Sequence, residues 1–168
     1  VANHHYSPKS LGKLDTARPE LKNLFLRVGT RFPNTILETL RTLEMQRKNV
    51  EKGVSKTMDS RHLRVPSEAV DAAPDPLEWP QIGKLLKRIE SVAGSLAKPE
   101  RDEIMALVNE YTKDVSRWYY FGGYVLGTAD EMGIPIRWGG DWNGNRNIDD
   151  QTFDDLPHFE LLNPEPLP

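Results

Sequence analysis

Two isolated histidines, His62 and His158, and two aspartates, Asp71 and Asp155, are residues whose types could carry out hydrolytic chemistry. Imidazole nitrogen and carboxylate oxygen both suit Zn2+, and three protein ligands leave a fourth tetrahedral position where water can be activated. Asp155 stands three residues before His158 in Asp-Asp-Leu-Pro-His-Phe-Glu-Leu, and Asp71 follows His62. The chain holds four histidines. His4 and His5 lie in a polar N-terminal stretch, so His62 and His158 are the pair that a folded core can bring together. A histidine beside a strand can equally be a hydrogen-bonded structural residue, and at this level both readings stand.

A second run of ligand-type residues lies between these two halves. Asp141, Asn143, Asn145 and Asn147 place oxygen-bearing side chains at alternate positions, as calcium loops do. Glycine is fourth rather than sixth in the run, and Thr152 stands where a calcium loop ends in Glu. The competing reading is an Asn/Gly-rich cluster of turns whose side chains cap their own backbone.

Composition narrows the chemistry further. The 168 residues include no cysteine. Thiolate metal sites, cysteine nucleophiles and disulfides are thereby excluded, leaving His, Asp, Glu and water as ligands. A net charge of -3 provides no basic field for phosphate neutralisation, so nucleic acid is not an expected partner. No run approaches the ~18 apolar residues of a membrane-spanning helix, and the given N-terminus has no apolar signal core. Neither membrane insertion nor export by a leader is therefore expected. One monomeric domain, residues 1–168, is the simplest expectation, with the first few residues and 163–168 peripheral.

The elements that must position these residues can be read from periodicity. Pro19 followed by Leu21, Leu24, Phe25 and Val28 predicts an amphipathic helix to about Arg31. Thr35-Ile36-Leu37 predicts a short strand, and a second helix runs from near Thr42 to Gly53, which puts Arg41 at a strand-to-helix junction. His62 falls in the polar, aperiodic stretch from Val54 to Pro66, while Asp71 sits in a short buried strand from Ala69 to Ala73. Helices are expected near Trp79 to Leu96, Pro99 to Tyr111 and Ser116 to Met132, with Gly133 closing the last. Strands over Ile134 to Trp138 and His158 to Leu162 flank a long Gly/Asn/Asp loop. Trp79, Trp118, Trp138 and Trp142 are expected in the core or lining a cleft.

Ser60-Arg61-His62, Ala69-Val70-Asp71, Trp138-Gly139-Gly140-Asp141-Trp142 and Asp155-Leu156-Pro157-His158-Phe159-Glu160-Leu161 follow one another in this order. In this the chain resembles the zinc D,D- and L,D-peptidases of the VanY/VanX type, and most of all the phage L-alanyl-D-glutamate endopeptidase endolysins, from Tyr6-Ser7 to Leu162. The resemblance implies an α+β fold, a short antiparallel sheet flanked by helices in the hedgehog and DD-peptidase manner. The family's Ser-x-His-x-x-Gly-x-Ala-x-Asp pattern carries onto Ser60, His62, Ala69 and Asp71, with two more residues between His62 and Asp71 and no glycine among them. Its C-terminal Glu/Asp-x-x-His pattern carries onto Asp155 and His158. His62, Asp71 and His158 would then hold Zn2+, and Asp155 would be the general base. Asp154 is the competing carboxylate, set apart by strand alternation. Arg41 matches the arginine that the family places over the scissile carbonyl, and Ser60 and Gln46 are candidates for orienting substrate or ligands.

What the resemblance implies is a zinc metallopeptidase that acts on the stem peptides of bacterial peptidoglycan, such as at L-Ala-D-Glu. An enzyme of this kind is expected in the cytoplasm of a phage-infected host and is released to the cell wall at lysis. Ca2+ at the Asp141 loop is the second cofactor reading. The rivals are a D-Ala-D-Ala carboxypeptidase or dipeptidase of the same fold, and a metal-bound virion or binding domain without turnover.

Overall fold

The computed structural model describes residues 6–80, 87–89, 91, 98–164 and 166. The helix expected near Trp79 to Leu96 falls mostly outside them. The fold is α+β. Its centre is a four-stranded antiparallel sheet formed by β1 (Asn34–Glu38), β2 (Ala69–Pro74), β3 (Ile136–Gly139) and β4 (Asp155–Leu161), in the order β1-β2-β4-β3. The named helices among the described residues are α1 (Pro8–Leu14), α2 (Pro19–Gly29), α3 (Leu43–Glu51) and α4 (Lys98–Met132), with a 3-10 turn at Arg61–Leu63.

α2 follows its sequence pattern closely. Leu21, Leu24, Phe25 and Val28 form one stripe and are fully buried, each worth about 1.5–3 kcal/mol of apolar burial. α1 carries no such stripe and was not expected; its start is set locally. The Ser7 side chain accepts from the Ser10 N–H at 3.2 Å, and Pro8 occupies the first turn, where it loses no hydrogen bond. The two helices expected over 99–132 are one. No proline or glycine interrupts Thr112 to Ser116, and the hydroxyls of Thr112 and Ser116 donate back to the carbonyls of Val108 (2.8 Å) and Thr112 (2.6 Å) inside the helix. Gly133, at a φ of +65°, ends it.

Strand alternation divides the sheet into a core face and a site face. Val70 and Ala72 on β2, and Phe159 and Leu161 on β4, pack with Phe25, Phe121 and Val125 in the core. Asp71 on β2, and His158 and Glu160 on β4, therefore face the other way. Register sets Asp71 directly opposite His158. This cross-strand pairing joins two residues that are 87 positions apart in the chain.

Between Trp138 and Gly139 the register of β3 shifts, so that Trp138 pairs with Phe159 but Gly139 with Asp155. The irregularity reverses the facing at the start of β4. Leu156 packs against the core, and Asp155 lines the same cleft as His158. Gly139 is required there because a Cβ would collide with the Asp155 carbonyl and come within 3.0 Å of its Cβ. Trp118 and Trp138 are core residues.

Candidate active site

The 3-10 turn that carries His62 is fastened from three sides. The Ser60 side chain accepts from the His62 N–H (3.3 Å), the Arg41 N–H donates to the His62 carbonyl (2.9 Å), and Glu68 pairs with Arg61 (2.6 Å). Between His62 and Asp71 the chain passes over the surface, where Val65 is 81% exposed. Ser67 then re-anchors it: its N–H donates to the Thr16 carbonyl and its carbonyl accepts from the Arg18 N–H, both at 2.8 Å. Such a turn can lengthen without moving its ends.

The three expected metal ligands converge. His62 Nε2, Asp71 Oδ1 and His158 Nδ1 lie 3.0–3.2 Å from one another. Among the described residues, these three form the group whose ligand atoms lie close enough together that they could hold a metal ion. Both rings are oriented from behind. His62 Nδ1–H donates to the Thr39 carbonyl at 2.5 Å, and His158 Nε2–H donates to Glu160 Oε2 at 3.0 Å. A neutral imidazole has one N–H, so each ring presents only a lone pair to the centre, beside a carboxylate oxygen. Three lone pairs so close repel one another unless a cation lies among them, either a proton or a metal ion. This donor set fits Zn2+, and the carboxylate behind His158 is the usual second partner of a metal-bound histidine.

The electrostatics follow from the same contacts. Burial alone would raise the Asp71 carboxyl, but hydrogen bonding with His158 and His62, once a proton lies among the three groups, holds it well below the ordinary carboxylate range. Burial disfavours protonated His158, yet its bonds to Asp71 and Glu160 and the charges of Asp71 and Asp155 raise it to about 9. Glu160 is opposed by burial and held at about 2 by His158 and Arg137. A proton and a metal ion therefore compete for the centre.

Asp155 is pushed upward, first by burial and then by the Asp71 charge, with His158, His62 and Arg41 pulling the other way. A base raised in this manner accepts protons more readily. Asp154 also lines the cleft, because β4 begins only at Asp155 and strand alternation does not reach Asp154. Arg41 lies at the β1–α3 junction, as expected. Its guanidinium is braced by Glu38 through Nε at 3.0 Å, and it lies 3.5 Å from Asp71 Oδ2. Gln46 sits beneath it rather than on the cleft wall. Fully buried, Gln46 accepts from Arg41 at 2.6 Å and donates to Ser55 Oγ and the Thr57 carbonyl at 2.8 and 2.6 Å.

One further contributor was not singled out from the sequence. Glu160 follows His158 by two residues on one strand face, a spacing that could have marked it. Trp142, expected in the core or lining a cleft, stacks on the His158 ring at 5.5 Å and walls a cleft of about 640 Å³. The Asp141 loop stands to one side. Asn143, Asn145 and Asn147 each accept, through Oδ1, the backbone N–H two residues on, at 2.8–3.1 Å. Asp141 Oδ2 takes the Arg146 N–H at 2.9 Å, while its buried Oδ1 has no hydrogen-bond partner among the described residues.

A model of the phage L-alanyl-D-glutamate peptidase family matches residues 2–98 and 108–162. Among solved structures, the L-Ala D-Glu endopeptidase ChiX of Serratia marcescens shares the fold at a TM-score of 0.56 and 24% sequence identity, over 94% of this chain and 89% of that one. No curated protein matches the chain.

Proposed function

Because the chain belongs to the phage L-alanyl-D-glutamate peptidase family, we propose that it is a zinc-dependent peptidoglycan endopeptidase that hydrolyses the L-Ala–D-Glu bond of the stem peptide. The observation that carries the reading is the triangle of lone pairs formed by His62, Asp71 and His158. These three residues would hold the Zn2+, which when bound supplies Lewis acidity and lowers the pKa of water. Asp155 takes the proton from the attacking water and delivers it to the leaving amine of D-Glu. Arg41, with its guanidinium fixed by Glu38 and Gln46, faces the charge that develops on the scissile carbonyl oxygen. Glu160 and Thr39 hold the two imidazole rings in the tautomers that the ligand role needs.

Ca2+ at the Asp141 loop is a second metal reading, favoured by the buried Asp141 Oδ1. Asn143 and Asn145 would have to share their carboxamide oxygens with the ion.

The test is mass spectrometry of digested peptidoglycan. Expected are peptides with new D-Glu amino termini, lost with chelator and restored by Zn2+. Release of free D-Ala instead would point to a carboxypeptidase, and chelator-resistant cleavage would remove the metal from the mechanism.

A further inference from the structure

Asp154 and Asp155 form a ridge with a cavity on each side. One is the cleft described above. The other is a groove of about 400 Å³ that runs over Leu156 and is walled by Trp79, Trp118, Tyr111 and Tyr119. Trp118 is buried and its indole N–H donates to the Glu78 carbonyl at 3.1 Å, which fixes the plane of the ring. Trp79 stacks on it at 4.9 Å between centroids and is 51% exposed. The groove thus holds a half-exposed indole on a rigid aromatic base, beside a carboxylate.

The two cavities differ in the cations they hold. The cleft has Arg41, Lys56, Arg61 and Arg137 on its walls among the carboxylates of Glu38, Asp59, Asp71, Asp154, Asp155 and Glu160, whereas among the described residues the groove has only Asp154 and Asp155 and no cation. A stem peptide is divided in the same sense about its first bond. On the D-Glu side it carries carboxylates; on the L-Ala side a single residue and a lactyl ether separate the bond from a neutral N-acetylated pyranose. That separation is about 7 Å, two residue lengths of chain, so the sugar falls just beyond the ridge. The apolar C–H face of a pyranose suits an indole, and its hydroxyls suit the Asp154 carboxylate.

We propose that the Trp79–Trp118 groove is the subsite for the sugar bearing the stem peptide, so that glycan-linked peptides are cleaved in preference to free ones. This rests on the cleft being an L-Ala–D-Glu peptidase site. The test compares a disaccharide-tetrapeptide with the same tetrapeptide capped only by N-lactoyl, using wild-type protein, Trp79→Ala and Trp79→Phe. Expected is a kcat/KM about tenfold higher for the sugar-bearing substrate, the scale of one aromatic contact. Trp79→Ala should abolish that advantage with the sugar-free rate unchanged, and Trp79→Phe should restore most of it. Equal rates on the two substrates in the wild type, or equal loss on both in Trp79→Ala, would overturn the subsite.

A binding arm separates this from the parent reading. N-acetylmuramoyl-L-alanine should shift the indole N–H resonances in NMR spectra of the wild type and of Trp79→Phe but not of Trp79→Ala, and N-lactoyl-L-alanine should shift none. Sugar-dependent shifts without hydrolysis would retain the subsite and reject the peptidase. Hydrolysis without them would do the reverse.

Discussion

The His62–Asp71–His158 cluster and the Asp141–Asp150 loop offer similar ligand atoms, yet they are held in opposite ways. In the cluster each atom comes from a different element, and the groups behind the rings, Thr39 and Glu160, take the single N–H that each neutral imidazole has. In the loop the atoms come from one run of chain, and its own backbone N–H groups satisfy nearly all of them. Asp150 even accepts from the carboxamides of Asn143 (3.2 Å) and Asn145 (2.7 Å). Alternating polar residues thus suffice to build turns, whereas a metal centre needs lone pairs with nowhere else to go.

The sharpest way to break this contrast is to remove a member of the cluster. His158→Ala should lose Zn2+ as measured by elemental analysis, and with it all measurable wall hydrolysis. Asp155→Ala should keep the zinc and lose about 10²- to 10⁴-fold in kcat, the range for a general base. Full zinc content in His158→Ala would show that the three lone pairs are not the metal site.

Gly139 lies where the loop region joins the cluster, and it comes next in expected effect. A methyl group there must push β3 away from Asp155. Gly139→Ala should retain zinc and lower kcat by up to about a hundredfold through misplacement of the base. An unchanged kcat would mean that the β3–β4 irregularity does not set the position of Asp155.

Much of this arrangement was legible in the sequence, and the reasons differ from residue to residue. α2 was readable because a single 3.6-residue stripe specifies both the helix and the face that it buries. His62, Asp71 and His158 were readable as ligand types and their order as a family pattern, but their convergence depends on the Asp71–His158 register, which no local spacing reveals. The separation of Asp154 from Asp155 by alternation was not sound, since β4 starts at Asp155 and leaves Asp154 outside the strand. Gln46 could be singled out as polar and near Arg41, but its burial beneath the guanidinium depends on contacts with Ser55 and Thr57. α1 escaped notice because its signal is a cap rather than a periodic stripe.

Glu160 allows a finer test of what holds a ligand from behind. Glu160→Gln keeps the shape and removes the charge, and its carboxamide oxygen can still accept from His158. The loss of anionic support should weaken zinc affinity by about 10- to 100-fold, with little change in kcat at saturating zinc. Arg137, which pairs with Glu160 through Nε at 3.0 Å, would then lose its partner, so Arg137→Gln in the same background should add little further loss. Additive losses from the two substitutions would separate Arg137 from the support of His158.

The smallest effect belongs to the loop. Asn145→Ala removes one acceptor for the Asn147 N–H and one donor to Asp150, both at exposed positions where water replaces them. About 1 kcal/mol or less of stability should be lost, a fall of roughly 2–4 °C in Tm for a chain of this size, with zinc content and hydrolysis unchanged. Ca2+ tests the loop directly because its one buried oxygen without a hydrogen-bond partner among the described residues is Asp141 Oδ1. If the loop takes the ion, millimolar Ca2+ should raise the Tm of the wild type, and Asp141→Asn should cancel the rise by removing half of the only buried carboxylate there. A Tm indifferent to Ca2+ in both proteins would leave the loop as turns alone, with Asp141 serving to receive the Arg146 N–H.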